Sequence, residues 1–407
     1  MQWNTWQESA RELAQALVAR HCPRRQLLVD VSELAQQDAR SGIQRVVRSV
    51  LQEWLKKPPE DYRVEPVYAT TDEGYRYARA FTHAFLQREG EPAEDSLIDH
   101  APGDIFFGLD MQPQVQIAHH DYYQRLRRDG VRVKFLLHDL LPIQMPEFFP
   151  PGNQEGFTRW LETITATDGV ICVSRTVADE LRQWVDAHGP ARTRPLHIGW
   201  SHNGADIDNS VPTTGMPDDA PQVLETLRAR PSFLMVGTLE PRKGHADVLD
   251  LFDDLWQKGE DINLVLVGKR GWKIEELAER LENHPEFGQR LFWLAGISDE
   301  YLEEVYRASA CLIAASYGEG FGLPLIEAAQ NGLPVIARDI PVFREVAGEY
   351  ATYFPKDMEL EESVGVIKEW LHIKNLGLPR SGKCLRWLGW PESSRNLILE
   401  IMEREGN

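Results

Sequence analysis

The sequence is poor in cysteine. Its 407 residues hold four, at Cys22, Cys172, Cys311 and Cys384. None stand as C-x-x-C, and no histidine lies at zinc-finger spacing from them, so a structural zinc site is not expected and the usage fits a reducing cytosol. Cys172 and Cys311 lie inside apolar runs and read as buried small hydrophobes. Long apolar runs are missing too, since none approaches the ~18 residues that cross a bilayer. The opening MQWNTWQESARELAQALVAR has no basic segment followed by an apolar one, so a secretory signal is not expected. Positive charge is in deficit, with a formal net charge of −19. That balance argues against nucleic acid as a partner and against a basic membrane-docking patch. No internal repeat or low-complexity tract is present. The expected location is the cytoplasm.

What the sequence does have is alternation. At ~100–200 residues per domain the length suggests two or three domains. Trp3, Trp6, Leu13, Leu17 and Val18 recur at helical spacing, so residues 1–25 are expected to hold an amphipathic helix that covers a core edge or docks a partner. Strands are expected at Leu27–Val31, Val64–Tyr68, Asp104–Leu109, Val131–Leu137 and Val170–Val173, with a helix from Gly42 to Leu55. Residues 206–231, rich in Pro, Thr, Asp and Gly, read as a linker. A second series follows, with strands at Phe233–Val236, Leu264–Val267, Leu291–Leu294, Cys311–Ala314, Val335–Ala337 and Thr352–Phe354. Buried strands alternating with helices imply an α/β fold of two doubly wound, Rossmann-like domains, 26–205 and 232–390, facing a cleft. Residues 391–407 form a last helix that either packs on the second sheet or crosses back to the first.

Two loops carry the chemistry. Ser316 to Glu327 reads SYGEGFGLPLIE, a strand running into a loop with Gly318, Gly320 and Gly322 and then a helix. Glycines let a backbone approach a ligand, and the N–H groups at a helix start favour an anion. Glu319 in the loop can accept from sugar hydroxyls, and Glu327 on the helix can reach a second polyol such as a ribose. The spacing is not G-x-G-x-x-G, because Leu323 stands where the third glycine belongs, which disfavours a dinucleotide oxidoreductase. The second loop, Gly237 to Gly244 (GTLEPRKG), again joins a strand to a helix. Arg242 and Lys243 there suit a diphosphate.

These residues resemble the retaining glycosyltransferases of family 4, which have the GT-B fold. The family's E-x7-E motif is matched by Glu319 and Glu327, and its R-K-G element by Arg242, Lys243 and Gly244. The stretch from Gly296 resembles the segment where relatives hold the nucleoside, near Gly296 and Ile297. The resemblance is dense over about residues 231–355 and looser before. Ser41-Gly42-Ile43 stands where relatives have a glycine-rich loop near the donor phosphate, here with Gly42 alone. His138, ending a strand, stands where relatives place a histidine close to the donor sugar, and HDLLPI looks like bacterial O-antigen and capsule mannosyltransferases. Val173-Ser174-Arg175 also matches, with Arg175 either a ligand contact or a helix-start residue. Where many relatives have an arginine after the first glycine of the second domain, this chain has Thr238.

The resemblance implies a donor-binding domain at 232–390 and an acceptor-side domain at 26–205. It implies retaining, metal-independent transfer of a hexose from a nucleotide-sugar donor to a glycan or lipid-linked glycan. GDP-mannose is the first choice, ahead of UDP- and dTDP-sugars. Lys243, Arg242, Glu319 and His138 would act at the reacting end. Glu327, Gly320, Phe321, Gly322, Gly42, Gly296, Ile297 and Thr238 would hold the donor. Asp206-Ile-Asp208 has the D-x-D spacing of metal-dependent transferases but enters the linker, so no metal and no cofactor are expected. A lipid-linked acceptor would bring the chain to the inner face of the cell membrane, alone or within a multi-enzyme complex. The rivals are a nucleotide-sugar epimerase and a non-catalytic sugar-nucleotide-binding module of a larger assembly system.

Overall fold

The computed structural model describes residues 24–38, 41–192, 195–205, 213–377 and 385–403. The expected N-terminal helix, Cys22, Cys384 and the Asp206–Asp208 pair lie outside them.

The first sheet has seven strands: β1 (Arg25–Asp30), β2 (Tyr62–Tyr68), β3 (Arg76–Tyr77), β4 (Ile105–Gly108), β5 (Arg132–Leu137), β6 (Gly169–Cys172) and β7 (His197–Trp200). Their order is β3-β2-β1-β4-β5-β6-β7, and only β3 runs antiparallel, against β2. The second sheet is parallel throughout: β8 (Ser232–Val236), β9 (Asn263–Val267), β10 (Leu291–Leu294), β11 (Cys311–Ala314), β12 (Val335–Arg338) and β13 (Thr352–Phe354), in the order β10-β9-β8-β11-β12-β13. Strands such as IFFG, GVIC and NLVLV are buried along their whole length because helices cover both faces. This is the doubly wound pair that the alternation predicts, and buried Cys172 and Cys311 sit in it as small hydrophobes.

Helix starts follow local chemistry. The helix Gly42–Lys56 opens with a capping box: Gln44 N donates to Ser41 Oγ at 3.2 Å, and Ser41 N donates to the Gln44 side chain. Ser174 caps the helix Arg175–His188 by accepting from Val177 N, so Arg175 is a helix-start residue. Its guanidinium lies over the Trp200 ring at 5.8 Å.

Two segments differ from expectation. Residues 206–231 were expected to lack periodicity, yet Ala220–Ala229 form a helix. Ala220, Leu224 and Leu227 make a buried stripe, and Pro221 occupies a helix-start position where it breaks no hydrogen bond. Of the two courses open to the last helix, Trp390–Met402 takes the return to the first domain. It packs on the helix Gly42–Lys56, where Trp54 Nε1 donates to Ser394 O at 3.0 Å. Lys134 Nζ donates to the carbonyls of Glu400 and Glu403 at 3.1 and 3.0 Å. Among the described residues, no helix is long and apolar enough to cross a membrane.

Trp390 opens the returning helix and is fully buried. Trp390→Ala is therefore expected to lower unfolding free energy by about 3–5 kcal/mol. Urea denaturation checks this, and a midpoint equal to that of the parent chain contradicts it.

Candidate functional site

The site lies at the carboxyl ends of β8 and β11, where ligands bind in open α/β sheets. Each strand opens into one of the two loops singled out in the sequence. Gly244 lets the loops touch: it has φ +71°, and a Cβ there would stand 2.5 Å from Ala315 O. Tyr317 N donates to Arg242 O at 2.9 Å, and an Arg242 Nη donates to Gly318 O at 2.7 Å. Arg338, buried at the end of β12, braces the same corner by donating to Ala315 O at 2.7 Å and to Asp247 at 2.6 Å. No motif marked Arg338. A lone arginine ending an apolar strand was the available signal.

Glu319 is the centre of this corner. Lys243 Nζ pairs with its Oε1, Ser316 Oγ donates to the same oxygen at 2.7 Å, and Arg242 lies 3.1 Å from its Oε2. Burial alone would raise its pKa, but the Lys243 and Arg242 charges outweigh burial and hold it down at about 2. Arg242 also pairs with Glu240, whose own pKa burial pushes up against the pull of that arginine. Lys243 carries three N–H donors, of which one goes to Glu319. A small pocket, with a cavity volume of about 20 Å³, opens here, lined by Lys243, Glu319, Ser316, Gly322, His245 and Phe343 among others.

The first domain closes over this corner. His138 follows β5 directly, and a Cβ on Gly320 would stand 1.8 Å from His138 O. A Cβ on Gly318 would stand 2.6 Å from Leu141 Cδ2. Ser174 Oγ donates to Gly320 O at 2.8 Å. Gly318 and Gly320 thus leave room for the close approach of the other domain. Gly322, with φ +94°, turns the chain into the helix Leu323–Gln330. The His138 ring is buried, its Nε2 has no hydrogen-bond partner, and burial pushes its pKa down to about 4. It is a neutral imidazole at pH 7, able to donate or accept one hydrogen bond at Nε2.

Glu327 stands apart from this cluster. It is buried, and its oxygens already have partners: Tyr306 OH donates to Oε2 at 2.8 Å, and Arg45 of the first domain donates to Oε1 at 2.5 Å. Arg45 and Tyr306 were not singled out from sequence. Arg45 lies 282 residues from Glu327, and no local pattern announces that contact. Gly42 opens the helix that bears Arg45. Gly296, with φ +67°, and Ile297 follow β10 and precede the helix Asp299–Ala308. Thr238 follows Gly237 in the Lys243 loop, and Phe321 is buried with its ring 5.3 Å from that of His202.

Among the described residues, His197, Glu400 and Glu403 form a group that could ligate a metal ion. It lies at the amino end of β7, at the other end of the strand from the cleft, where Lys134 ties the returning helix.

Residues 219–378 match the family described as glycosyl transferases group 1. Over 380 residues, 93% of this chain, the sequence is 43% identical to the serotype-specific mannosyltransferase WbdA of Escherichia coli. That stretch is 45% of WbdA, so the chain spans about half the length of the curated relatives it matches. It is 28% identical over 229 residues to the O-antigen chain mannosyltransferase RfbU of Salmonella typhimurium, 55% of this chain and 56% of that one. Among solved structures, Anabaena Alr3699/HepE in complex with UDP and glucose superposes with a TM-score of 0.58 at 15% identity, over 93% of this chain and 96% of that one. Sucrose-phosphate synthase from Thermosynechococcus elongatus does so with a TM-score of 0.62 at 17% identity, over 93% and 97%. The two-sheet architecture is therefore GT-B.

The buried imidazoles make stability depend on pH. Burial lowers the pKa of His138 to about 4 and that of His245 to about 3, from 6.5. Between those values and 6.5 the unfolded chain binds protons that the folded chain does not. Their contribution to stability is therefore constant above about 6.5 and is lost as pH drops below it, while Asp110, raised by burial to about 7, contributes with the opposite sign over part of the same range. Urea unfolding from pH 7 to 4.5 is expected to show His245→Asn losing stability less steeply with acid than the parent, by about one proton. A variant with the parent slope would falsify the assignment.

Proposed function

We propose, for a chain that belongs to the group 1 glycosyl transferases and is homologous to O-antigen mannosyltransferases, that it moves a hexose from a nucleotide sugar to a glycan or lipid-linked glycan in surface polysaccharide synthesis. Mannose from GDP-mannose is the first choice, supported by the names of the relatives. The observation that carries the reading is the buried corner where Lys243, Arg242 and Glu319 meet the His138 strand end of the other domain.

The donor lies in the cleft with its diphosphate toward Lys243 and Arg242. As the bond between the sugar's C1 and the phosphate oxygen breaks, those cations stabilise the charge growing on the leaving phosphate. The acceptor oxygen bonds to C1 from the same face, and its proton passes to a leaving phosphate oxygen, so configuration is retained without a protein nucleophile. Glu319, kept ionised, takes the donor sugar's hydroxyls, and the neutral His138 contacts the sugar from the opposite wall. Glu327 faces the ribose, and Gly296 and Ile297 flank the nucleoside. Two protein cations stand where a metal would neutralise the diphosphate, which supports a metal-independent reaction. The meeting of the domains at Gly320 excludes water from the reacting end. The site works from the cytoplasmic side of a membrane that presents the acceptor.

The test supplies a panel of nucleotide sugars with mannose- and GlcNAc-ended acceptors, scoring released nucleoside diphosphate and glycan mass. Acceptor-dependent release from one donor is expected, reduced at least 100-fold in Glu319→Ala and Lys243→Ala. Nucleotide binding without consumption of any donor would instead favour a binding module.

A further inference from the structure

The helix Gly42–Lys56 belongs to the first domain, yet one of its first-turn side chains ends in the second. Arg45 places one Nη 2.5 Å from Glu327 Oε1 and the other 2.7 Å from Asp299 Oδ1. Both carboxylates are set from their own side. Tyr306 OH holds the second oxygen of Glu327, and Thr213 donates to Asp299 Oδ2 from its N and Oγ1 at 2.9 and 2.8 Å. A planar guanidinium can bond both at once, which the single ammonium of a lysine does less well. Asp299 starts the helix that follows Gly296 and Ile297, and Glu327 lies on the helix that follows Glu319. Arg45 therefore lands between the two elements that would flank a bound nucleoside.

Ser174 also reaches across the junction, to the backbone carbonyl of Gly320, but two other side-chain links are differently aimed. Glu345 accepts from Arg175 N and Thr176 N at 2.8 Å, and Lys273 donates to Glu147 O at 2.6 Å. Neither touches a residue assigned to the donor. The Arg45 link ends on the carboxylate that would hold the ribose. Its side chain is about three-quarters buried, and that of Glu327 is 4% exposed. A guanidinium screened from water in this way transmits position, since its partner has few other conformations.

We infer that Arg45 is a positioning residue of the donor site, reaching across the domain junction to fix Glu327 for the ribose and so coupling nucleoside binding to domain closure. This rests on the reading of Glu327 as a ribose contact. When the domains meet, Arg45 sets the carboxylate. When they part, Glu327 loses its fixed partner and the nucleoside its ordered wall.

The test uses the full chain with Arg45→Ala, Arg45→Lys, Glu345→Gln as a second junction variant, and Glu327→Ala. Folding is checked by circular dichroism. Binding of GDP and UDP is measured by calorimetry, donor kinetics at saturating acceptor, and compaction on nucleotide addition by X-ray scattering. Arg45→Ala is expected to lower donor kcat/KM at least tenfold and to abolish the compaction. Arg45→Lys, which keeps a charge beside the buried carboxylate and so guards against misfolding, is expected to recover part of both. Glu345→Gln is expected to stay within threefold of the parent. The inference is overturned if Arg45→Ala keeps parent kinetics and compaction, or if Glu345→Gln loses as much. If Glu327→Ala binds GDP and UDP as the parent does, the ribose reading itself fails and takes this inference with it.

Discussion

A buried carboxylate with two cations on it is the constraint around which the C-terminal domain is arranged. Glu319 cannot lie where it does as an isolated ion, because burial would drive it toward its neutral form. Lys243 and Arg242 keep it charged, and they arrive from a different loop. Two strands that are neighbours in the sheet, β8 and β11, are thus joined a second time beyond their ends. The joint needs a close approach of backbones, which Gly244 permits at the Ala315 carbonyl. It also needs a brace, and the fully buried Arg338 provides it by donating to that same carbonyl and to Asp247. Each cation is spoken for in part, so a phosphate arriving here would share the donors of Lys243 with Glu319.

The same corner sets how the domains meet. Gly318 and Gly320 flank Glu319, and neither has room for a side chain against the His138 to Leu141 segment. A residue with a Cβ at position 320 would push the His138 carbonyl away and open the cleft at its reacting end. The loop is glycine-rich for two different reasons, since Gly322 answers to its own left-handed backbone.

Much of the fold was legible because parallel strands buried on both faces read as unbroken apolar runs, and both glycine-bearing loops follow such runs directly. What escaped has identifiable causes. β7, HIGW, mixes polar and apolar residues because it is an edge strand, and β3 is only two residues long. The helix Ala220–Ala229 was obscured by its Pro221 and by the polar run before it. In the site, Glu319, Glu327, Lys243 and Arg242 were visible because charge and glycine mark loops that approach anions. Arg45 was not, because its partners lie in another domain and helical periodicity says nothing about what an exposed-face arginine meets. The same limit hid Tyr306, whose hydroxyl is spent on Glu327.

The segment that ends the first domain lies beside the segment that leads into the returning helix. Ala205 N donates to Leu388 O at 3.3 Å, and Gly204 bridges Leu388 in parallel just before the returning helix begins. A Cβ on Gly204 would stand 2.7 Å from Trp390 N, so the two strands of chain are pressed together. The returning helix then reaches Lys134, whose ammonium is desolvated to about 8 and satisfies carbonyls at the helix's negative end. Before that it takes the Trp54 hydrogen bond from the helix Gly42–Lys56. That helix carries Arg45 at its other end. The returning helix, the helix Gly42–Lys56 and the Arg45–Glu327 pair thus form one continuous line of contacts from the start of the returning helix to the second domain's buried carboxylate.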